Sequence, residues 1–355
     1  MSRIDWIVLR RIVGRIALTV LIFFGLIVLV ESINGARYNY LQTLGGTQLA
    51  FLGLLAASAK WLLKGLPLLV LVGTVIGVID LEARRELTAI KSSGASIWRV
   101  VRAPAVALLL AGLAVTLGGE SVVTSINRGI EATLPGDNST LTPTTGFWLE
   151  QVRDGEPYVI EAAHVVGGTQ LQEVNLFMPD GQQQGRIVAP LVRLGNGAWE
   201  LPHATWFRAG KPPQALVDYR IPTSTTAGDL RLKLTSTEDM TFYELAASLG
   251  GRVSDPALRA AVTTRFLRLL SLPALLVGAL FIAFAFTAGY RRGTGYGRAV
   301  VYAILVGFVV FVITEMADRA GSAGSLDPIF AACGPAFVAI VIGLTVLLYK
   351  EDGWA

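Results

Sequence analysis

Six runs of about 20 mostly apolar residues, each long enough to cross a bilayer as a helix, punctuate this chain. They fall at roughly Ile12–Ile33, Trp61–Leu81, Ile97–Gly119, Phe266–Thr287, Arg298–Ala317 and Pro328–Tyr349. No other feature restricts the fold as much. The hydrocarbon core offers no water, so each run must satisfy its own backbone and therefore be helical. Composition agrees: of 355 residues, 53% are hydrophobic and only 16% charged, too little polar surface for a soluble domain of this size. The net charge of +4 is too small to suggest a nucleic-acid partner and suits arginines beside anionic headgroups. Cys333 is the single cysteine, which excludes an internal disulfide or a Cys-based metal site. His164 and His203 lie far apart in strand-like sequence and make no zinc pattern. The first apolar run is too long for a cleavable signal and lacks a small-residue cleavage site.

The second apolar run exceeds one span, since it begins near Leu49. Counting back from Asp80 puts Trp61 at the far interface, so Leu49–Ala59 is expected to lie along the membrane surface. Pro67 and Pro273 fall inside spans, where a packed bundle tolerates them as kinks. Charge sets the orientation. Arg3, Arg10, Arg11 and Arg15 precede the first span; Arg84, Arg85, Lys91, Arg99 and Arg102 join the second to the third; Arg291, Arg292 and Arg298 join the fourth to the fifth. The opposite short loops carry only Arg37 and Arg319. The positive-inside rule then places both termini in the cytoplasm and an insert, residues 121–260, on the other side. Residues 1–120 and 261–355 hold three spans each.

The insert has a different grammar. FWLEQV, PYVIEAAHV, LQEVNLFMP, GRIVAPLVRL, AWELPHATWF, ALVDYRI and LRLKL are short strand candidates. Many alternate apolar and polar residues, and Asp154-Gly155, Asp180-Gly181 and Asn196-Gly197 supply turns between them. The pattern predicts an antiparallel sandwich or roll, followed by a helix over DMTFYELAASL. The fold class is therefore α+β: a six-helix membrane protein with an antiparallel β insert between helices three and four.

Between the second and third spans lies LEARRELTAIKSSGASIWRV, a short charged amphipathic segment. Leu87 and Ile90 share one helical face, with Ala83 a turn earlier. Glu82 and Arg85 stand at i,i+3, and Glu86 follows. Gly94 suits a left-handed stop and Ser96 the next N-cap. Two readings fit this elbow at about residues 81–94. One is a coupling helix that docks in a groove of a cytoplasmic ATPase, with Glu86 meeting a basic residue of that partner. The other is an interfacial helix that merely closes the loop. The chain has no G-x-x-x-x-G-K-[ST] loop, and GTGYG near Gly293 lacks the lysine, so ATP-driven work would need a partner ATPase. No Ser/His/Asp order, H-E-x-x-H helix or buried acid pair supports an enzyme, and Asp80 and Glu120 read as helix-end interface residues.

RRELTAIKSSGAS, GFWLEQVRDGEPYVIEAAHV and DPIFAACGPAFVAIVIGLTVLL together resemble the LptF/LptG (YjgP/YjgQ) permease family of the lipopolysaccharide export ABC transporter. The likeness covers nearly the whole chain, and the insert string is closer to the G paralogue. The resemblance implies a multi-pass inner-membrane permease that pairs with an F-type paralogue and a dimer of LptB-type ATPase, which uses the ATP and Mg; no cofactor is implied for this chain. It implies that the insert is a periplasmic β-jellyroll handing lipopolysaccharide to an LptC and LptA bridge. It implies, too, that elbow acids contact the ATPase, and that the first and fifth helices line the cargo cavity and its gates. The competing reading is a mechanical ABC protein that relays motion to a periplasmic domain without moving lipid; three spans on each side of the insert disfavour it.

Lipopolysaccharide bears phosphates, so cations are expected at the outer rim. Arg37, just past the first span, is the first candidate; its neighbours Glu31, Asn34 and Ala36 are less basic than the resemblance implies. Arg265 and Arg268 open the fourth span at the same level, and Lys60 and Lys64 flank Trp61. Snorkelling of long basic side chains to the interface is the plainer alternative for all of them. Glu31, Arg37, Glu315 and Arg319 are expected to line a polar rim, with Glu315 and Arg319 at i,i+4 able to pair. Between them the expected sites are Glu82, Arg85, Glu86, Leu87, Ile90 and Gly94 at the elbow, and Glu31, Arg37, Arg265, Arg268, Glu315 and Arg319 at the rim.

Overall fold

The structure is a computed structural model. It describes residues 3–33, 35–92, 94, 96–131, 147–153, 156–166, 169–178, 185–195, 197–208, 210–223, 230, 237–250, 256–287 and 296–352. Two compact units result: one of Met1–Glu131, Thr241–Gly251 and Ala260–Ala355, the other of Ala132–Met240 and Arg252–Arg259.

The first unit is a helical bundle of α1 (Arg3–Ile33), α2 (Gly35–Ala83), α3 (Glu86–Ser92), α4 (Ile97–Ala114), a π-helical turn (Val115–Gly119), α5 (Glu120–Glu131), α6 (Phe242–Gly250), α7 (Pro256–Thr287), α8 (Tyr296–Ser322) and α9 (Pro328–Asp352). Among the described residues five stretches are long and apolar enough to cross a membrane: Asp5–Ile33, Tyr38–Ala83, Ile97–Ile130, Pro256–Thr287 and Pro328–Tyr349. The expected fifth span coincides with α8, whose 27 residues rise about 40 Å at 1.5 Å per residue. The chain is thus a multi-pass α+β membrane protein.

Two expectations for the helices need correction. Leu49–Ala59 does not break from the second span at Trp61: α2 carries it straight on, and the break falls earlier, at Gly45 and Gly46, whose backbone leaves the helical region. Glu120 does not end a helix; it is buried in an unbroken run from Ile97 to Glu131. In both places a long apolar core outweighs the interfacial cue.

Small residues let the helices approach. A Cβ at Gly73 of α2 would sit 2.7 Å from the Cα of Ile16 on α1, and one at Gly112 of α4 would sit 2.7 Å from the Cα of Pro273 on α7. Such close contact substitutes for the hydrophobic force that lipid cannot supply between helices. The core runs through Ile12, Val75, Leu87, Val101, Leu280 and Ala339, while Leu21, Leu29, Leu110, Phe330 and Phe337 are exposed on the outside of the bundle.

The second unit is one antiparallel sheet: β1 (Phe147–Arg153), β2 (Glu156–Val166), β3 (Gln170–Met178), β4 (Gly185–Leu194), β5 (Ala198–Phe207) and β6 (Gln214–Pro222), in sequence order. The expected seventh strand, LRLKL, lies outside the described residues apart from Leu230. Gly197, at φ 74°, closes the β4–β5 hairpin, with the Gly195 N–H donating to the Ala198 carbonyl at 2.9 Å.

A crease crosses this sheet. Glu173 and Asp218 take left-handed φ of 52° and 51°. The rung that would pair Glu173 with Pro190 is missing, as is the one that would pair Pro202 with Asp218. Proline has no N–H for the ladder, so the strands bend there. At the crease the inward-facing positions step by three instead of two: Leu171 to Val174, Ala189 to Val192, Leu201 to Ala204. The bend keeps apolar residues inside on both sides of it. It also lets the sheet curl. In a flat sheet β1 and β6 would lie about 24 Å apart, at about 4.8 Å per strand. Instead the Gln151 Oε1 on β1 accepts hydrogen bonds from Trp199 Nε1 on β5 at 3.1 Å and from the Thr223 hydroxyl just after β6 at 2.6 Å.

Candidate functional site

The elbow is built by two reversals. α2 ends at Ala83; Arg85 then takes φ 58° and turns the chain into α3. After α3, Gly94 takes φ 77°, the left-handed stop expected of it. Ser96 occupies the N-cap of α4 with extended backbone but makes no side-chain capping bond. Because Arg85 is the turn residue, the i,i+3 helical spacing expected for Glu82 and Arg85 is broken: Glu82 sits in the last turn of α2.

α3 turns its apolar face to the bundle. Leu87 is 3% exposed and Ile90 packs on the same core. Arg85, Thr88, Ala89 and Ser92 form the exposed side. Glu86 is half-buried and its Oε1 accepts from the Arg11 guanidinium of α1 at 3.2 Å. One turn away, Asp80 of α2 gathers Arg15 at 3.0 Å, Arg84 at 3.3 Å and Arg11 at 3.8 Å. Asp5, buried near the start of α1, takes the Arg102 guanidinium of α4 at 2.7 Å. The first helix is thus fastened by charge to α2, α3 and α4 at this end. The basic residues that positive-inside counting uses also make these ion pairs, which counting alone does not reveal.

The other end of the bundle holds a second set. Arg268 of α7 donates to Glu315 at 2.6 Å and to Asp318, both on α8. Glu315 therefore pairs with Arg268 and not, as expected, with Arg319, which is exposed and makes no ion pair among the described residues. Arg265 pairs with Glu120 at 3.5 Å. Both arginines are largely buried and paired with acids. Glu31 lines a small pocket with Tyr38, Leu41, Gly53 and Ala57. Arg37 lies on α2, and its side chain falls outside the described residues. The Lys64 ammonium sits over the Trp61 ring at 5.5 Å.

The family that this geometry belongs to is settled by comparison with known proteins. The family model for the lipopolysaccharide export system permease LptF/LptG matches residues 6–349. The chain belongs to this family. A curated relative, lipopolysaccharide export system permease protein LptG of Haemophilus influenzae, is 23% identical over 302 residues, covering 81% of this chain and 82% of the relative.

Several residues of this LptF/LptG permease escaped the sequence reading. Asp318 stands one turn from Glu315 and shares its face, a spacing that points to one shared cation. Thr241 and Glu244 form a capping box on α6: the Thr241 N–H donates to Glu244 at 2.8 Å and the Glu244 N–H to the Thr241 hydroxyl at 3.3 Å. The T-x-x-E spacing was the available signal. Glu244 also takes both Arg128 nitrogens of α5, at 2.7 and 2.8 Å. Those bonds, against the opposing pull of burial, lower its carboxyl to about 2. Beside them the π turn exposes the Leu117 carbonyl to the Tyr243 hydroxyl at 2.9 Å, and Thr116 reaches the Leu269 carbonyl of α7 at 2.9 Å. Irregular turns of this kind recur where helices carry function. Among the described residues no group of three or more His, Cys, Asp or Glu could hold a metal.

Proposed function

We propose that this chain is the G-type permease subunit of the lipopolysaccharide export transporter. It lies in the inner membrane with both termini in the cytoplasm and the β unit in the periplasm. With an F-type partner it forms a cavity that takes lipopolysaccharide from the outer leaflet and passes it to an LptC and LptA bridge. A dimer of LptB-type ATPase, which holds the ATP and Mg, drives it through α3; this chain hydrolyses nothing itself.

One observation carries the mechanism: α3 is fastened to α1 through Glu86 and Arg11, with Asp80 beside them. Leu87 and Ile90 seat the helix on the bundle, so Arg85, Thr88, Ala89 and Ser92 are left to meet the ATPase. A push on that face is transmitted to α1, the helix whose other end carries Glu31 at the cavity rim. Glu86 acts within the chain in this account, as the link that passes force to α1. Arg268, Glu315 and Asp318 keep the far ends of α7 and α8 together, Arg265 ties α7 to Glu120 of α5, and Arg37 and Arg319 are the cations assigned to cargo phosphates.

The test is co-purification of the tagged chain from its native membrane, with mass spectrometry of bound proteins and lipids. Recovery of an ATPase, a second permease and lipopolysaccharide supports the proposal. An ATPase without lipopolysaccharide would favour the mechanical relay, and recovery of no ATPase would remove the coupling role of α3.

A further inference from the structure

We infer that the groove between α4 and α7 at the elbow end binds an anionic phospholipid. The groove, of about 600 Å³, is lined by Ser96, Trp98, Arg99, Val101, Arg102, Ala105 and Phe281. Its floor is apolar: Val101 is buried and Phe281 packs on the bundle core. Its rim is cationic. Arg99 and Arg102 stand one turn apart on the same face of α4, where like charges repel each other. Asp5 neutralises only one of them, through Arg102. Arg99 is exposed and makes no ion pair among the described residues, so the rim keeps an unmatched positive charge that an anion would relieve.

The surface below the rim says what kind of anion. Continuing down the same face of α4, Val106, Leu109, Leu110 and Leu113 are exposed apolar side chains, and Leu117 of the π-helical turn beyond them is another. A charged head above a continuous apolar stripe has the shape of a phospholipid lying along a helix, headgroup against the arginines and acyl chains against the leucines. A free phosphate would use the head alone. Trp98, with its indole at the groove, is the residue type that membrane–water interfaces favour. Basic pockets between membrane helices are suited to lipid headgroups in this way. The cytoplasmic leaflet follows from the orientation proposed above, whereas the site itself rests on α4 and α7 alone.

The experiment uses the whole transporter complex in nanodiscs with photoactivatable phosphatidylglycerol, reading labelled peptides by mass spectrometry. A headgroup probe is expected to label residues 96–102, and a chain-terminal probe residues 106–117. Arg99→Ala should reduce headgroup labelling about fivefold, the worth of one basic residue near an anionic surface. Arg99→Lys should restore most of it, which separates loss of charge from misfolding. Equal labelling by a phosphatidylcholine probe would overturn the inference, as would Arg99→Ala that labels like the parent. Suppression of labelling by excess inorganic phosphate would reassign the groove to a small anion. Labelling that emerges only after the ATPase is stripped away would assign it to a protein contact. None of these readouts depends on ATP hydrolysis or lipopolysaccharide, so they fail or succeed separately from the transport proposal.

Discussion

The two ends of the bundle both hold arginines against acids, yet they differ in burial. At the elbow, the Arg84 and Arg102 side chains are 51% and 57% exposed while Asp80 and Asp5 lie beneath them. At the far end Arg265 and Arg268 are only 14% and 17% exposed. Exposed pairs contribute little and exchange partners readily. Buried ones are costly to leave half-made. The same residue types therefore form adjustable contacts at one end and fixed clamps at the other.

The largest effect should come from breaking a clamp. Arg268→Met leaves Glu315 and Asp318 facing each other without a cation, and should cost about 3 kcal/mol in thermal unfolding of the purified protein. Adding Glu315→Gln and Asp318→Asn should recover most of that loss. If the single variant unfolds like the parent, the far end is no more fixed than the elbow and the contrast collapses.

Close packing ought to rank next, since it holds α1 on α2 wherever charges are weak. Gly73→Leu has no room against Ile16 and should destabilise by about 1–3 kcal/mol, as overpacking does. A cavity-neutral outcome in the same unfolding assay would mean that the ion pairs, and not the helix contact, hold α1 in place.

At the elbow the expected signature is inverted: small in stability and large in coupling. Arg11→Glu or Glu86→Arg should each change unfolding by less than about 1 kcal/mol, because the pair is partly solvated. Each should nevertheless uncouple lipopolysaccharide-stimulated ATPase activity in the reconstituted complex. The double exchange, with the charges reversed, should restore it. Equal activity in all four proteins would show that α3 does not drive α1 through this pair.

How much of this was legible in the sequence follows from what each residue type responds to. Apolar length alone placed the helices, because a membrane leaves a 20-residue apolar run almost no alternative. Gly94 and the strand alternation were legible for the same reason: each has a local cause. The ion pairs were not, since an arginine on α7 chooses between Glu120, Glu315 and Asp318 according to how three distant helices pack. Arg265 and Arg268 read as free cations for that reason. The crease in the sheet was half-visible. Pro190 and Pro202 mark where the ladder must fail, but the matching turns at Glu173 and Asp218 depend on register, which alternation alone does not fix.

The smallest effect expected is a pH dependence at Glu244. Its carboxyl is lowered from an ordinary 4.5 to about 2, first by the Arg128 hydrogen bonds and then by those from Thr241, with burial opposing. A depressed carboxyl stabilises the folded protein fully at pH values above its unfolded value. That contribution fades as pH falls from about 4.5 towards 2, where the folded group finally takes up its proton. The docking of α6 on α5 should therefore loosen in acid, seen as lower amide protection factors (exchange relative to the intrinsic rate at each pH) across residues 242–250 at pH 3 than at pH 5. Glu244→Gln keeps the shape, lacks the titration, and should show lowered protection factors that no longer change over that range. Because the side chain is 44% exposed, solvent screens the pair and the effect stays modest. A parent protein whose α6 protection factors are flat with pH would place this pair with the adjustable contacts of the elbow, despite its position among the clamps.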